Sequence, residues 1–243
     1  MQRATHGAVT YHGAMDGTAA ELCADQVRRF DPDRYLATLF APPAARPALW
    51  AVYAFAGEVV RARGQREELA REIRLQWWRD RIVEIQAGTA QDALIARALA
   101  HAAQAHGFDR SRLDALVDAD RLRASALAVQ LALEVLGAAD PDSMAAGELV
   151  GKAVALLAGL REGRRGADEV STVAEDARRH LDAARALRSR VASAALPALL
   201  PAVPARHDLD RLARAGHDPA VLARPKPVSR PLRMALAAWR GRY

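Results

Sequence analysis

Apolar residues recur every three or four positions along most of the chain, and no segment alternates apolar with polar over the length of a strand. The clearest stretch is 67–87, where Leu75, Trp78, Ile82 and Ile85 repeat at i, i+3, i+7, i+10. Leu69, Ile73 and Trp77 widen that stripe, charged residues fill the other side, and Gly88 ends it. Adjacent Trp77 and Trp78 must point about 100° apart, so one enters the core while the other covers a neighbouring helix or a partner. Upstream, a helix is expected from a Thr18 cap to Arg29. "FDPDRY" then restarts the chain, with Asp31 or Asp33 as cap and Pro32 in the first turn. "APPAARP" breaks it. Another helix runs from Ala45 to Arg63, and others fit 91–106, 111–137, 143–162 and 170–195. Residues 197–206 form a connector or a broken short helix, and a final helix starts at Ser229. The pattern predicts a frayed terminus over 1–18 and one all-α domain of about eight or nine helices over 19–243.

Composition fits that picture. The chain is 51% hydrophobic, 26% charged and only 5% aromatic, the profile of an Ala/Leu-rich helical protein. A single cysteine, Cys23, excludes a disulfide framework and a cysteine-built metal site, and without an evident histidine partner it reads as an inert buried thiol. No apolar run reaches membrane-spanning length, and residues 1–18 lack a signal core, so a cytoplasmic protein is expected. The formal charge of +6 suggests a polyanion partner. Yet the cations are Arg apart from Lys152 and Lys226, and they alternate with acids as on solvated helix faces. Nucleic acid is therefore not an expected partner. His101 and His106 lie about 140° apart around a helix, which does not suit a shared zinc ion.

Two segments raise functional questions. In "YAFAGEVVRARG", Tyr53, Gly57, Val60 and Gly64 share one face, and that face carries no charge in a chain where most other exposed-looking positions do. In 229–243, Arg230, Arg233, Arg240 and Arg242 accompany Leu232, Leu236 and Trp239. That segment either lies on an anionic membrane surface or caps the domain with Trp239 buried.

"DRYLATLFAPPAARPALWAVYAF" followed by "REIRLQWWRDRIVEI" resembles the squalene/phytoene synthase family, all-α prenyltransferases that join two prenyl diphosphates head to head. The likeness is specific between Arg34 and Ile85 and traceable through "ELVGKAVALLAGLRE" and "AEDARRHLDAARA". "EIRLQWWRD" is most similar to a non-synthase branch that holds mitochondrial complex I assembly factors and their bacterial relatives. The resemblance implies an isoprenoid-synthase fold with two Asp-rich motifs whose acids bind magnesium on the substrate diphosphates. Carried onto this chain, the first motif falls on Val60, Arg61 and Gly64, and the second on Ala158, Glu162 and Gly166. Only Glu162 is acidic. The family's "GR-x-YLP" segment is missing, and a helix before "SALAVQLALEVL" is expected to be absent.

Magnesium needs hard oxygen ligands, so these replacements imply that the metal site is lost. No catalytic residue and no cofactor are expected; magnesium enters only if the site has been rearranged around Glu162. Trp50, Tyr53, Phe55 and Gly57 are candidates for lining a residual cavity, with plain core packing as the rival for the aromatics. Arg34, Arg46 and Arg61 are candidates for a phosphate or lipid contact, with salt bridges to nearby acids as the rival. Three functions stand open. One is a catalytically inactive protein that binds and helps assemble a membrane or respiratory complex, and another is a magnesium-dependent prenyl diphosphate transferase. The third is a basic adaptor peripheral to the inner face of a membrane. The corresponding partners are a protein of that complex, a prenyl or lipid ligand, and a membrane met through 229–243.

Overall fold

Four aspartates set where helices begin. Asp31, Asp109, Asp120 and Asp140 accept the backbone N–H of Arg34, Ser111, Arg123 and Ser143 at 3.1, 3.0, 2.8 and 2.9 Å. Each side chain satisfies a donor that the first turn leaves without a partner. The computed structural model describes residues 17–90, 93–163, 169–223 and 229–243. Among these the regular structure is entirely helical: α1 Gly17–Phe30, α2 Pro32–Thr38, α3 Arg46–Arg63, α4 Glu68–Ala87, α5 Leu94–His106 and α6 Arg110–Asp118. There follow α7 Arg121–Val135, α8 Pro141–Arg161, α9 Val170–Ala186, α10 Leu196–Leu199, α11 Ala202–Arg214 and α12 Ser229–Trp239.

The fold class is as expected, but twelve α-helices among the described residues exceed the eight or nine predicted. The expected helix 111–137 is two helices, because the Asp120 cap starts α7 afresh. The expected helix 170–195 stops at Ala186, before a turn and a short 3-10 segment at Ser193–Ala195. The Pro-rich stretch yields both α10 and α11, since Pro204 falls in the first turn of α11, where its missing N–H costs nothing. Residues 1–16, Gln91 and Asp92 lie outside the described residues.

The α3 helix is the hub, packing on α1, α4, α5 and α7, while α7, α8 and α9 stack beside it. Phe55 of α3 meets Trp78 of α4 edge to face at 4.7 Å between ring centres, deep in the core. The stripe of α4 is narrower than predicted. Leu75, Trp78, Ile82 and Ile85 are buried, whereas Leu69 and Ile73 stand exposed because α4 is covered on one side only, by α3, α5 and α6.

One helix corrects the expectation about hydropathy. The 21 residues of α8 reach a mean hydropathy of 1.4 over a membrane-length window, enough by composition to cross a bilayer. Of that window 56% is buried, packed between α7 and α9. Glycine permits the close α7–α8 approach: a Cβ on Gly151 would stand 2.5 Å from the Ala126 Cα.

Candidate functional site

Between α1, α3, α7 and α8, with α2 and the start of α12 at its edge, lies a cavity of about 500 Å³. The fold brings to its wall residues from both segments onto which the two motifs were carried. Gly57, Val60 and Arg61 line it from α3, and Ala158 lines it from α8, with Glu162 just beyond that helix. Tyr53 lines it too; burial pushes its hydroxyl up to about 12, against the pull of Arg34, whose guanidinium sits 5.1 Å over the ring. Gly64 is the C-cap of α3 and is not part of the wall, and Gly166 lies outside the described residues.

Other candidates separate. Phe55 packs against Trp78 in the core rather than on the cavity. Trp50 is half-buried, donates its ring N–H to Thr38 Oγ1 at 2.8 Å and stacks on Tyr35. Arg46 donates to the Leu39 and Ala41 carbonyls at 2.9 and 3.0 Å, closing the turn after α2. Arg34 and Arg61 reach the cavity wall, each already engaged. Arg34 Nη2 donates to Ser125 Oγ at 2.7 Å, and that hydroxyl donates to the Gly151 carbonyl at 2.8 Å. Arg61 holds Glu58 at 2.7 Å and Gln26 at 2.8 Å, and lies 4.3 Å over the Phe30 ring.

Every carboxylate on the wall is committed to arginine. Asp31 pairs with Arg34 at 3.3 Å. Glu162 is gripped in a fork by Arg121 across α7 and α8, at 2.5 and 2.7 Å. Asp33 takes both oxygens' worth of Arg230 Nη1, at 2.8 and 2.6 Å, with Arg161 at 3.8 Å. Burial pushes the Asp33 carboxyl above its usual value against the pull of Arg230 and Arg161. Arg230 is itself held above its usual value, because Asp33 and Asp208 outweigh its burial. Just behind the wall, the fully buried Asp208 binds Arg161, Arg230 and, at 3.3 Å, Arg211. Beside Arg61, burial would raise Glu58, but hydrogen bonds from Arg61 and Arg74 outweigh it and hold the carboxyl below the usual glutamate value.

These residues do not fit a magnesium cluster. Among the described residues no three or more His, Cys, Asp or Glu side chains gather where a metal could be held. The five arginines on the wall (34, 61, 121, 161 and 230) are held by five acids, 31, 33 and 162 on the wall and 58 and 208 just off it. With its carboxylates taken up by arginine, the wall offers a divalent cation no open set of oxygen ligands. Away from the cavity, burial pushes the Cys23 thiol up to about 12, so it carries no thiolate at neutral pH.

Sequence reasoning missed Arg121, Ser125, Arg161, Asp208 and Arg230 as members of this site, and took Asp33 only as a helix cap. Asp33 had a readable signal, an acid beside Arg34 in the most family-like segment. Asp208 had none, because its helix was itself unpredicted.

The family model for squalene/phytoene synthase matches residues 27–126. No curated protein matches the chain in sequence. The crystal structure of squalene synthase HpnC from Alicyclobacillus acidocaldarius is similar at a TM-score of 0.66, with 18% identity over 83% of this chain and 95% of that one. That of a dehydrosqualene synthase in complex with ligand is similar at a TM-score of 0.73, with 13% identity over 92% of this chain and 96% of that one. Residues 27–126 are thus similar in sequence to squalene/phytoene synthase, and the chain is similar in fold to these two synthases.

Proposed function

We propose that this protein is a catalytically inactive squalene/phytoene synthase-like protein that keeps the helical scaffold for binding. The observation that carries this reading is the cavity wall. Gly57, Val60 and Ala158 offer no ligand atoms, and the one acid left in the carried-over motifs, Glu162, is closed off by the Arg121 fork. Ionising a prenyl diphosphate needs divalent metal to neutralise its leaving group, and an arginine-rich wall does not replace a bridging cation. The cavity instead suits an anionic head attached to an apolar body, since Val27, Phe30, Val60 and Val154 line it beside the arginines.

The role in assembling a membrane or respiratory complex rests on the resemblance carried by "EIRLQWWRD", Glu72–Asp80. The outer face of α4 supports it: Leu69 and Ile73 are exposed there, and Trp77 is half-buried beneath Arg74 and Arg81. An apolar patch rimmed by charge is a surface that a protein partner covers. On this reading the protein works in the cytoplasm at the inner face of a membrane.

Incubation with radiolabelled farnesyl or geranylgeranyl diphosphate and magnesium tests the proposal. The expected outcome is no release of diphosphate above the protein-free control. Metal-dependent release that disappears in Glu162→Gln would establish the rival reading, a transferase with a rearranged metal site.

A further inference from the structure

The side of α12 turned away from the core carries an apolar stripe. Met234 is buried on the inner side, whereas Leu232, Leu236 and Trp239, spaced i, i+4, i+7, are 64%, 45% and 82% exposed. The alternative of Trp239 as a buried cap is thereby set aside. Arg233 and Arg240 run along one edge of the stripe by helical geometry, and Arg242 follows the helix end. All three are exposed, and none forms an ion pair with a described residue. The apolar surface continues past α12, because Trp239 and Ala238 border a groove of about 520 Å³ with Phe40, Pro42, Leu196 and Pro197. Phe40 and its neighbour Leu39 are exposed as well. Scattered exposed leucines are ordinary, but a contiguous apolar surface of this kind marks something that covers it.

The distribution of charge identifies the cover. Residues 219–243 hold five Arg, one Lys and no Asp or Glu. The chain has 35 basic and 29 acidic residues; without that segment the count is 29 against 29, so the whole formal charge of +6 resides there. A second copy docking through the same face would set the exposed Arg233, Arg240 and Arg242 against their own counterparts. An anionic bilayer offers negative headgroups directly above hydrocarbon, matching arginines that flank leucines and a tryptophan.

We infer that α12 is an interfacial membrane anchor. Leu232, Leu236 and Trp239 enter the boundary between headgroups and acyl chains of an anionic bilayer, and Arg233, Arg240 and Arg242 lie among the lipid phosphates. Arg230, on the inner side, ties α12 to Asp33 and Asp208 and so keeps the stripe turned outward. The anchor requires neither the cavity nor a metal, and it stands whether or not the protein is catalytic.

Co-sedimentation of the full chain with vesicles tests this, using phosphatidylcholine alone and phosphatidylcholine mixed with phosphatidylglycerol. Light scattering of the protein without lipid runs in parallel. The expected result is binding to the mixed vesicles about tenfold or more tighter than to neutral ones, reversed by added salt. Two double variants, Leu236→Asn with Trp239→Ser and Arg233→Gln with Arg240→Gln, alter exposed positions only. Each is expected to keep the parent's circular dichroism and melting curve while losing about tenfold in vesicle affinity. The inference is overturned if the parent does not sediment, if it binds neutral vesicles equally well, or if folded variants bind as the parent does. A concentration-dependent dimer abolished by the Leu236/Trp239 variant would overturn it too, by assigning the stripe to a second copy.

Discussion

Glu58 shows how a single side chain reports on the wall of the cavity. It is largely buried, and Arg61 and Arg74 hold it at 2.7 and 2.9 Å. Because its carboxyl titrates lower in the folded chain than in the unfolded one, it favours folding fully above the ordinary glutamate value of 4.5. That contribution disappears as pH falls through the lower folded value. Glu58→Gln should therefore cost about 1 kcal/mol at neutral pH and converge on the parent in acid, as read by urea unfolding across pH. The site was only half legible at this scale. That Val60, Arg61 and Ala158 stand where the resemblance places acids could be read along the chain, because each belongs to a segment with a recognisable pattern. The arginines that close the remaining carboxylates could not, since Arg121 reaches Glu162 over 41 positions and Arg230 reaches Asp33 over 197.

The helices obey two kinds of rule, local and non-local, and only the local kind is written in short stretches of sequence. Caps, prolines and apolar spacing located α3, α4 and α8 to within a residue or two, and the start of α12 at Ser229. The split at Asp120 was missed because an apolar period runs through it almost unbroken, so only the cap breaks the helix. The close approach of α7 and α8 is non-local: it depends on glycine meeting backbone across an interface, and glycine has no apolar signature to read. Gly151→Ala would force Ala126 and Ser125 backbone atoms now 2.5 to 2.8 Å from the new methyl to move. The expected cost is about 3 kcal/mol in chemical denaturation, at the upper end for overpacking. Gly57 is the internal control. A methyl there meets only the flexible Arg61 guanidinium, at 3.2 Å, so Gly57→Ala should be neutral or stabilise α3 by about 0.5 kcal/mol.

Across the whole molecule, Asp208 is the point where α2, α8, α11 and α12 are joined, through Arg161, Arg211 and Arg230 and through Arg230 on to Asp33. Asp208→Ala would leave partly buried guanidiniums without their central counter-charge. A loss of about 3 kcal/mol is expected, with the melting curve as the measure. The same junction bears on how the chain is made. On the ribosome, Asp33 emerges early, long before its guanidinium partner has been translated. Whatever the earlier helices collapse into, this acid waits in a half-finished setting until residues 229–243 arrive. Residues 229–243 thus act as a latch, one that can shut only after they have themselves left the exit tunnel.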